Sequence, residues 1–392
     1  MNPTNQSLFH QIHTLIEQST PKDDTLLGGK LGLVHYYFYL YQQFGNDEYA
    51  ERALDLVEEA ANLHDDESKT LFGAAFSSGG AGLGYTLKTL HNYGLLEMDL
   101  SEDLADLDDY LFNTALEMIE KDGNLDYLHG AAGIIHYFLF RLPDEALRER
   151  TETLVRAFIN QKKFLPNGTW FSTYVISTDD RTEINCSLSH GQTAFLLILM
   201  NAYRAGFQFP EIKETIETGV QLIVSFKRNP APDDELVAFF PSTIKSADTS
   251  QQLTSNRLAW CYGDLDILIL LYQAGDFLNK PEWKQLASEM GANIVHRKTA
   301  TETVVTDSHF CHGAAGLVQT YKYLHEISGE EMYRAASEYW LQQTVEMLPA
   351  ELEQGLYKEK VGALLEGLVG VNLVLAESFS PVPLNWARML LV

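Results

Sequence analysis

The stretch FCHGAAGL, residues 310–317, sets a cysteine and a histidine directly ahead of a Gly-x-x-Gly step and an apolar run. The same step recurs along the chain. It reads GKLGL from Gly29, GGAGL from Gly79, GAAGI from Gly130 and GLVGV from Gly367. Two degenerate copies fill the gap, GQTAF from Gly191 and GDLDI from Gly263. The leading glycines of the seven copies lie 50, 51, 61, 72, 50 and 54 residues apart. A period near fifty that covers the whole chain marks a repeat array, not a string of unrelated domains. Residues 1–392 are therefore expected to form one domain.

Each glycine step leads into a run that is apolar nearly all round, such as IIHYFLFRL or FLLILMNAYRA, as a buried inner helix requires. Between the steps lie amphipathic segments. In EYAERALDLVEEAANL, Tyr49, Ala53, Leu56, Val57, Ala60 and Leu63 fall on one stripe. NQSLFHQIHTLIEQ supplies the first such segment, ahead of Gly29. Each repeat thus reads as an outer amphipathic helix, a loop, a glycine turn and an inner apolar helix. Seven such pairs can close on themselves and leave no exposed ends to cap. The expected fold is all-α, an α/α toroid of seven inner and seven outer helices. The two longest intervals carry inserts. The first, FLPNGTWFSTYVISTDDRTEINCSLSHG, reads as a hairpin, with a turn signal between β-formers. The second, KRNPAPDDELVAFFPSTIKSADTSQQLTSNRLAWCYG, reads as irregular.

Composition narrows the function. Hydrophobic content of 45% suits a soluble protein with a large core. A formal net charge of −26 argues against a footprint on nucleic-acid phosphates or an anionic membrane. No apolar run is long enough to span a bilayer, and no signal peptide is visible at the N-terminus. Three cysteines, Cys186, Cys261 and Cys311, do not make a disulfide framework. A reducing cytoplasm is the expected compartment, with membrane association only through a larger assembly.

Equivalent positions of a toroid point to the same place, so the residues before each glycine should ring one mouth of the barrel. Reading two residues ahead gives Leu27-Gly28, Ser77-Ser78, Leu128-His129, Ser189-His190, Cys261-Tyr262, Cys311-His312 and Leu365-Glu366. Six of the seven pairs hold a potential ligand, acid or hydroxyl, a concentration that packing does not explain. Cys261 and Cys311 occupy one slot in adjacent repeats, and His312 follows directly. A lone cysteine would read as a small buried hydrophobe. Two in register beside a histidine read as a tridentate site for zinc, with the fourth tetrahedral position open for catalysis. Cys186 falls outside this register and reads as structural. His190, in SLSHGQ, is a candidate acid or base near the metal. Asp126, four residues before Gly130, and Arg257, four before Cys261, read either as site residues or as plain structural ion pairs.

These motifs resemble the lanthionine synthetase C-like family, the cyclases of lanthipeptide biosynthesis. The resemblance covers essentially the whole chain, and AWCYG, CHGAAGL and SHG are its most specific segments. It implies an α/α toroid. It also implies zinc on Cys261, Cys311 and His312, a catalytic His190 with Asp126, and Arg257 and Tyr262 beside the metal. The implied reaction adds cysteine thiols of a dehydrated precursor peptide to dehydroalanine or dehydrobutyrine, giving thioether rings. There are departures. His129 stands where some cyclases carry an acidic residue, and the spacing between Gly29 and Gly130 leaves no room for the inserted β domain of some bacterial members. Both bear on leader-peptide recognition more than on chemistry. The first outer helix begins almost at residue 1, so a standalone cyclase served by a separate dehydratase is expected. Three other readings stay open. One is a eukaryotic-type relative that adds glutathione to dehydrated residues. Another is a glycosidase, which needs two inward carboxylates where only Asp126 and Glu366 lie near the glycines. The third is a non-catalytic peptide-binding scaffold. No phosphate-loop motif is present, so no ATP or organic cofactor is expected.

Overall fold

The computed structural model describes residues 3–61, 71–173, 183–231, 234–379 and 383–392. Among the described residues, fourteen helices of ten residues or more alternate between two rings. In chain order they are α1 (Pro3–Glu17), α2 (Lys30–Phe44), α3 (Asp47–Ala61), α4 (Gly80–Asn92), α5 (Ala105–Glu117), α6 (Ala131–Arg141) and α7 (Glu145–Asn160). They continue as α8 (Gln192–Arg204), α9 (Pro210–Ser225), α10 (Asp264–Leu278), α11 (Pro281–Ile294), α12 (Ala314–Ser328), α13 (Glu331–Glu353) and α14 (Leu368–Glu377). Odd helices are outer and even helices inner. Each inner helix packs on the next, and α14 packs on α2, which closes the ring. Each inner helix also packs on the outer helix that follows it, and α14 does so on α1. The chain is thus an α/α toroid. No described helix is long and apolar enough to cross a membrane.

The burial pattern follows the sequence pattern. On α2 every residue from Leu31 to Leu40 is buried, whereas α3 buries only Ala53, Leu56, Val57 and Ala60. Leu63, read as part of that stripe, lies outside the described residues.

Glycine is needed where chain segments nearly touch. A Cβ on Gly313 would lie 2.5 Å from the His309 carbonyl oxygen and 2.6 Å from that of Asp307, well inside contact distance. Gly316, one helical turn on, meets the Phe310 carbonyl in the same way. Gly263 has φ +131, which L side chains rarely adopt.

These turns are stitched to one another by a belt of hydrogen bonds around the mouth. Leu27 N–H donates to Ser77 O (3.1 Å), Ser77 N–H to Leu128 O (2.9 Å) and Cys261 N–H to Cys311 O (3.4 Å). Cys311 N–H donates to Leu365 O (2.9 Å), and Leu364 N–H returns to Leu27 O (2.9 Å). Ser189 Oγ donates to Cys261 O at 3.0 Å. From the third turn to the fourth the link is a side-chain pair, Asp126 Oδ2 with His190 Nδ1 at 2.7 Å.

Below the belt sits a sealed floor. The residues three before each glycine, Leu26, Phe76, Tyr127, Leu188, Trp260, Phe310 and Leu364, are all fully buried. A short 3₁₀ turn, Trp386–Leu390, packs beneath them. Tyr127 Oη donates to Met389 O (2.5 Å), Trp260 Nε1 donates to Leu390 O (3.0 Å), and Phe310 meets Trp386 edge to face at 4.9 Å.

The inserts corrected one expectation. The first forms the expected hairpin, β1 (Lys163–Leu165) with β2 (Gly168–Trp170). The second is not irregular throughout. It supplies β4 (Thr243–Lys245) and β5 (Gln252–Leu253), which join β3 (Glu183–Asn185) of the first insert in an antiparallel sheet ordered β3-β4-β5. The pairing joins segments far apart in sequence, and strands of two or three residues leave no local periodicity to read. The degenerate repeats hold the inserts down. Gln192 exchanges two hydrogen bonds with the Phe171 backbone, both 2.8 Å. Asp264 accepts from Phe239 and Phe240 N–H and pairs with the buried Arg297. Asp266 accepts from Leu188 N–H.

The core predicts an acid limb. His35 on α2 is fully enclosed and His136 on α6 is largely so, and burial pushes both down to about 4. An unfolded histidine titrates at about 6.5. Between those values the unfolded chain binds protons that the folded chain refuses. Stability is therefore full above about pH 6.5 and falls as pH drops through the window, by roughly 3 kcal/mol per histidine near pH 4. His136→Phe, which keeps the ring stacked on Tyr85, is expected to remove its share. Urea midpoints at pH 7 and pH 4 check this, and an unchanged acid limb in the variant would contradict it.

Candidate active site

The belt fixes what the mouth presents. Because Cys261 and Cys311 are joined backbone to backbone, their side chains start from neighbouring positions. Sγ of Cys261, Sγ of Cys311 and a ring nitrogen of His312 lie within 4.8 Å of one another. Cys261 is buried, and Cys311 and His312 are partly exposed. The Cys311 sulfur beside it, then burial, hold the Cys261 thiol well above its ordinary value, while His312 acts in the opposite sense. A dication reverses that balance by ionising its thiol ligands. Two sulfurs and an imidazole, open on one side, fit zinc in a four-coordinate site with one exchangeable position.

Facing this triad is a held histidine. Asp126, 2% exposed, accepts from His129 N–H with Oδ1 (2.8 Å) and from His190 with Oδ2. The carboxylate can only accept, so His190 Nδ1 carries the hydrogen and Nε2 is left to the mouth. His190 N–H donates to Ser187 Oγ at 3.0 Å, which fixes the turn that carries it. Tyr262 lies alongside, its ring centroid 6.2 Å from that of His190. Its hydroxyl accepts from Asn185 Nδ2 at 2.8 Å, and burial pushes it above the usual phenol range.

Two cavities open from the mouth and meet at His190 and Cys311, which line both. One, about 820 Å³, runs past Leu27, Ser77, Leu128, His129 and Leu365. The other, about 760 Å³, is walled by the small sheet and contains Arg257, Cys261, Tyr262 and Asn185. Among the described residues the Arg257 guanidinium has no hydrogen-bond or ion-pair partner. The seven residues singled out from the sequence, Asp126, His190, Arg257, Cys261, Tyr262, Cys311 and His312, therefore gather at one mouth. Cys186 does not join them. It is buried, with its N–H on Ser242 O at 2.9 Å.

Sequence reasoning passed over three residues here. Asp307 and His309 form a second donor group with His312, all within 4.8 Å. His309 Nδ1 lies 3.2 Å from Asp307 Oδ1, and its ring meets His312 edge-on at 4.1 Å. The signal was available, since His309 holds the slot in its repeat that Asp126 holds in the third. Asn185, which orients Tyr262, lies at the end of an insert, in the slot six before the glycine that Asn124, Arg257 and Asp307 hold in other repeats.

Comparison with known proteins places these features. Residues 20–391 match a family described as lanthionine synthetase C-like protein. The nisin biosynthesis protein NisC of Lactococcus lactis subsp. lactis is 21% identical over 326 residues, covering 78% of this chain and 74% of that protein. Among solved structures, nisin cyclase superposes with a TM-score of 0.77 at 18% identity, covering 99% of this chain and 96% of the other. A variant α-1,6-mannanase of Salegentibacter sp. reaches 0.50 at 12% identity, covering 96% and 98%. At such identities the structural likenesses bear on fold alone.

The burial pattern predicts thiol reactivity. In the metal-free native protein a short pulse of alkylating reagent is expected to mark Cys311 first. Cys261 and Cys186 should resist until the chain unfolds, Cys186 because burial pushes its thiol up to about 12. Mass mapping of the labelled sites checks this. Equal labelling of all three would contradict the closed belt.

Proposed function

The chain belongs to the lanthionine synthetase C-like family, and from that premise we propose that it is a zinc-dependent lanthipeptide cyclase. Its substrate is a dehydrated precursor peptide, made by a separate dehydratase in the cytoplasm. Its reaction adds a peptide cysteine thiol to the β-carbon of dehydroalanine or dehydrobutyrine, closing a lanthionine or methyllanthionine ring. One observation carries this reading. The Cys261, Cys311 and His312 donors and the Asp126-held His190 share a single mouth, and Cys311 and His190 line both of its cavities.

Cys261, Cys311 and His312 would hold zinc, whose Lewis acidity keeps a substrate thiol ionised near neutral pH, where a free thiol with pKa about 8.5 is mostly protonated. The remaining work falls to side chains. Attack on the β-carbon pushes the π electrons toward the amide carbonyl, so negative charge grows on that oxygen as an enolate. A fixed donor already aimed at such charge lowers the barrier. The Arg257 guanidinium, unpartnered among the described residues, supplies positive charge in the cavity walled by the sheet. Tyr262, kept protonated by burial, has an O–H to give. His190 then holds the proton for the α-carbon at Nε2, with Asp126 fixing the ring through Nδ1. A π bond is exchanged for a C–S bond, so the addition runs downhill without ATP or nicotinamide. The glycosidase reading lacks its carboxylate pair, because Asp126 faces His190 and Glu366 pairs with Lys360 at 2.8 Å.

Two outcomes are expected. Purified wild type carries one zinc per chain, and Cys311→Ala loses it; His190→Ala keeps its zinc but cyclises roughly 10²–10⁴-fold more slowly. Metal analysis beside rate measurement checks both, and full zinc in Cys311→Ala would count against the site. The reaction itself is tested by incubating zinc-loaded protein with a dehydrated precursor and counting free thiols with an alkylating reagent. Cyclisation adds no mass, so thiol loss is the readout. Thiols that persist as in an enzyme-free control would leave a peptide-binding scaffold as the better reading.

A further inference from the structure

The mouth holds a second imidazole that the mechanism above leaves idle. His129 lies one turn before His190 in the ring. The two rings stack with centroids 5.6 Å apart and planes 18° from parallel. His129 Nδ1 sits 2.9 Å from Ser77 Oγ, and one carboxylate serves both turns, since Asp126 holds the His129 backbone N–H and the His190 ring. His129, His190 and Cys311 line the same cavity. The cyclisation moves two protons, one off sulfur and one onto carbon, and two histidines, His129 and His190, line this cavity.

We propose that His129 is the base that takes the proton of the substrate thiol, leaving His190 to deliver a proton to the α-carbon. This rests on the cyclase reading of the site. The partners of the two rings separate their roles. His190 faces a carboxylate, which holds the hydrogen on Nδ1 and leaves Nε2 turned to the mouth. His129 faces a neutral hydroxyl. When it gives its Nδ1 hydrogen to Ser77 Oγ, the Nε2 lone pair is free to accept. Burial lowers the proton affinity of His129; Asp126 opposes this and His190 reinforces it, so the ring enters the cycle uncharged near neutral pH. The cycle balances. The thiol loses its proton to His129 as it is ionised, the thiolate then forms the C–S bond, and the π pair moves to the enolate. His190 protonates the α-carbon, and solvent returns the proton from His129 to His190. No proton is gained or lost overall.

The test bypasses the base. A precursor whose cysteine is replaced by selenocysteine carries a nucleophile that is already ionised at neutral pH. His129→Phe keeps the stacked ring and removes both nitrogens. With the cysteine precursor this variant is expected to cyclise roughly 10²–10⁴-fold more slowly than wild type while keeping its zinc. With the selenocysteine precursor it should approach wild type, whereas His190→Ala stays slow with both. His129→Ala should recover part of its rate when imidazole is added. Full activity of His129→Phe with cysteine, or equal slowing with both nucleophiles, would overturn the proposal and leave His129 as packing for His190. A wild type that cyclises neither precursor would overturn the cyclase reading and this proposal together. A wild type active on both keeps the two questions separate.

Discussion

The hydrogen bond from Cys261 N–H to Cys311 O is one stitch of the constraint on which the molecule depends. A ring of helix pairs can widen, shear or open, and apolar packing alone is non-directional. Backbone bonds between successive glycine turns are directional, and they return from the seventh turn to the first. Within each turn the chain folds back so closely that only glycine fits beneath a carbonyl, as at Gly313 and Gly316. Once the belt exists, the geometry of the mouth is settled by register. A metal triad then needs only the right side chains at adjacent slots, because the backbone has already placed them.

The repeat is least regular where the site is most specialised. The fourth and fifth copies lose their second glycine, to Ala194 and Asp266, and carry the two inserts. Gln192, Asp264 and Asp266 stand just inside those helices and hold the inserts through backbone hydrogen bonds. Burial pushes Asp266 far above the usual carboxylate range, a tension a purely structural repeat has no reason to carry. The inserts so held wall the cavity around Arg257 and Tyr262. Departures from local rules that cluster around a site are the expected mark of function.

Much of this was legible in the chain, for a physical reason. A closed array repeats one local solution seven times, so the period, the glycines and the apolar runs all report the same fold. The register also made the candidate site legible, since equivalent slots converge: Cys261 and Cys311 share one, and His190 and His312 share the next. The β3-β4-β5 sheet was not legible, because its pairing depends on two inserts meeting in space. Nor was the pairing of Asn185 with Tyr262, which belongs to that meeting. His129 was visible as a residue but not as a partner of His190. The stacking of the two rings follows from the angle between adjacent turns, and no spacing in one dimension encodes it.

The buried floor has a consequence for the shape of any cargo. With seven side chains meeting at the centre and Trp386 packed beneath them, the barrel is a blind well rather than a tunnel. A long chain cannot be threaded through it and drawn out behind. It must dip in as a bend and leave by the way it came, with both flanks outside throughout. On the proposed cyclase reading, a loop sealed by a new covalent link is never looped around the protein.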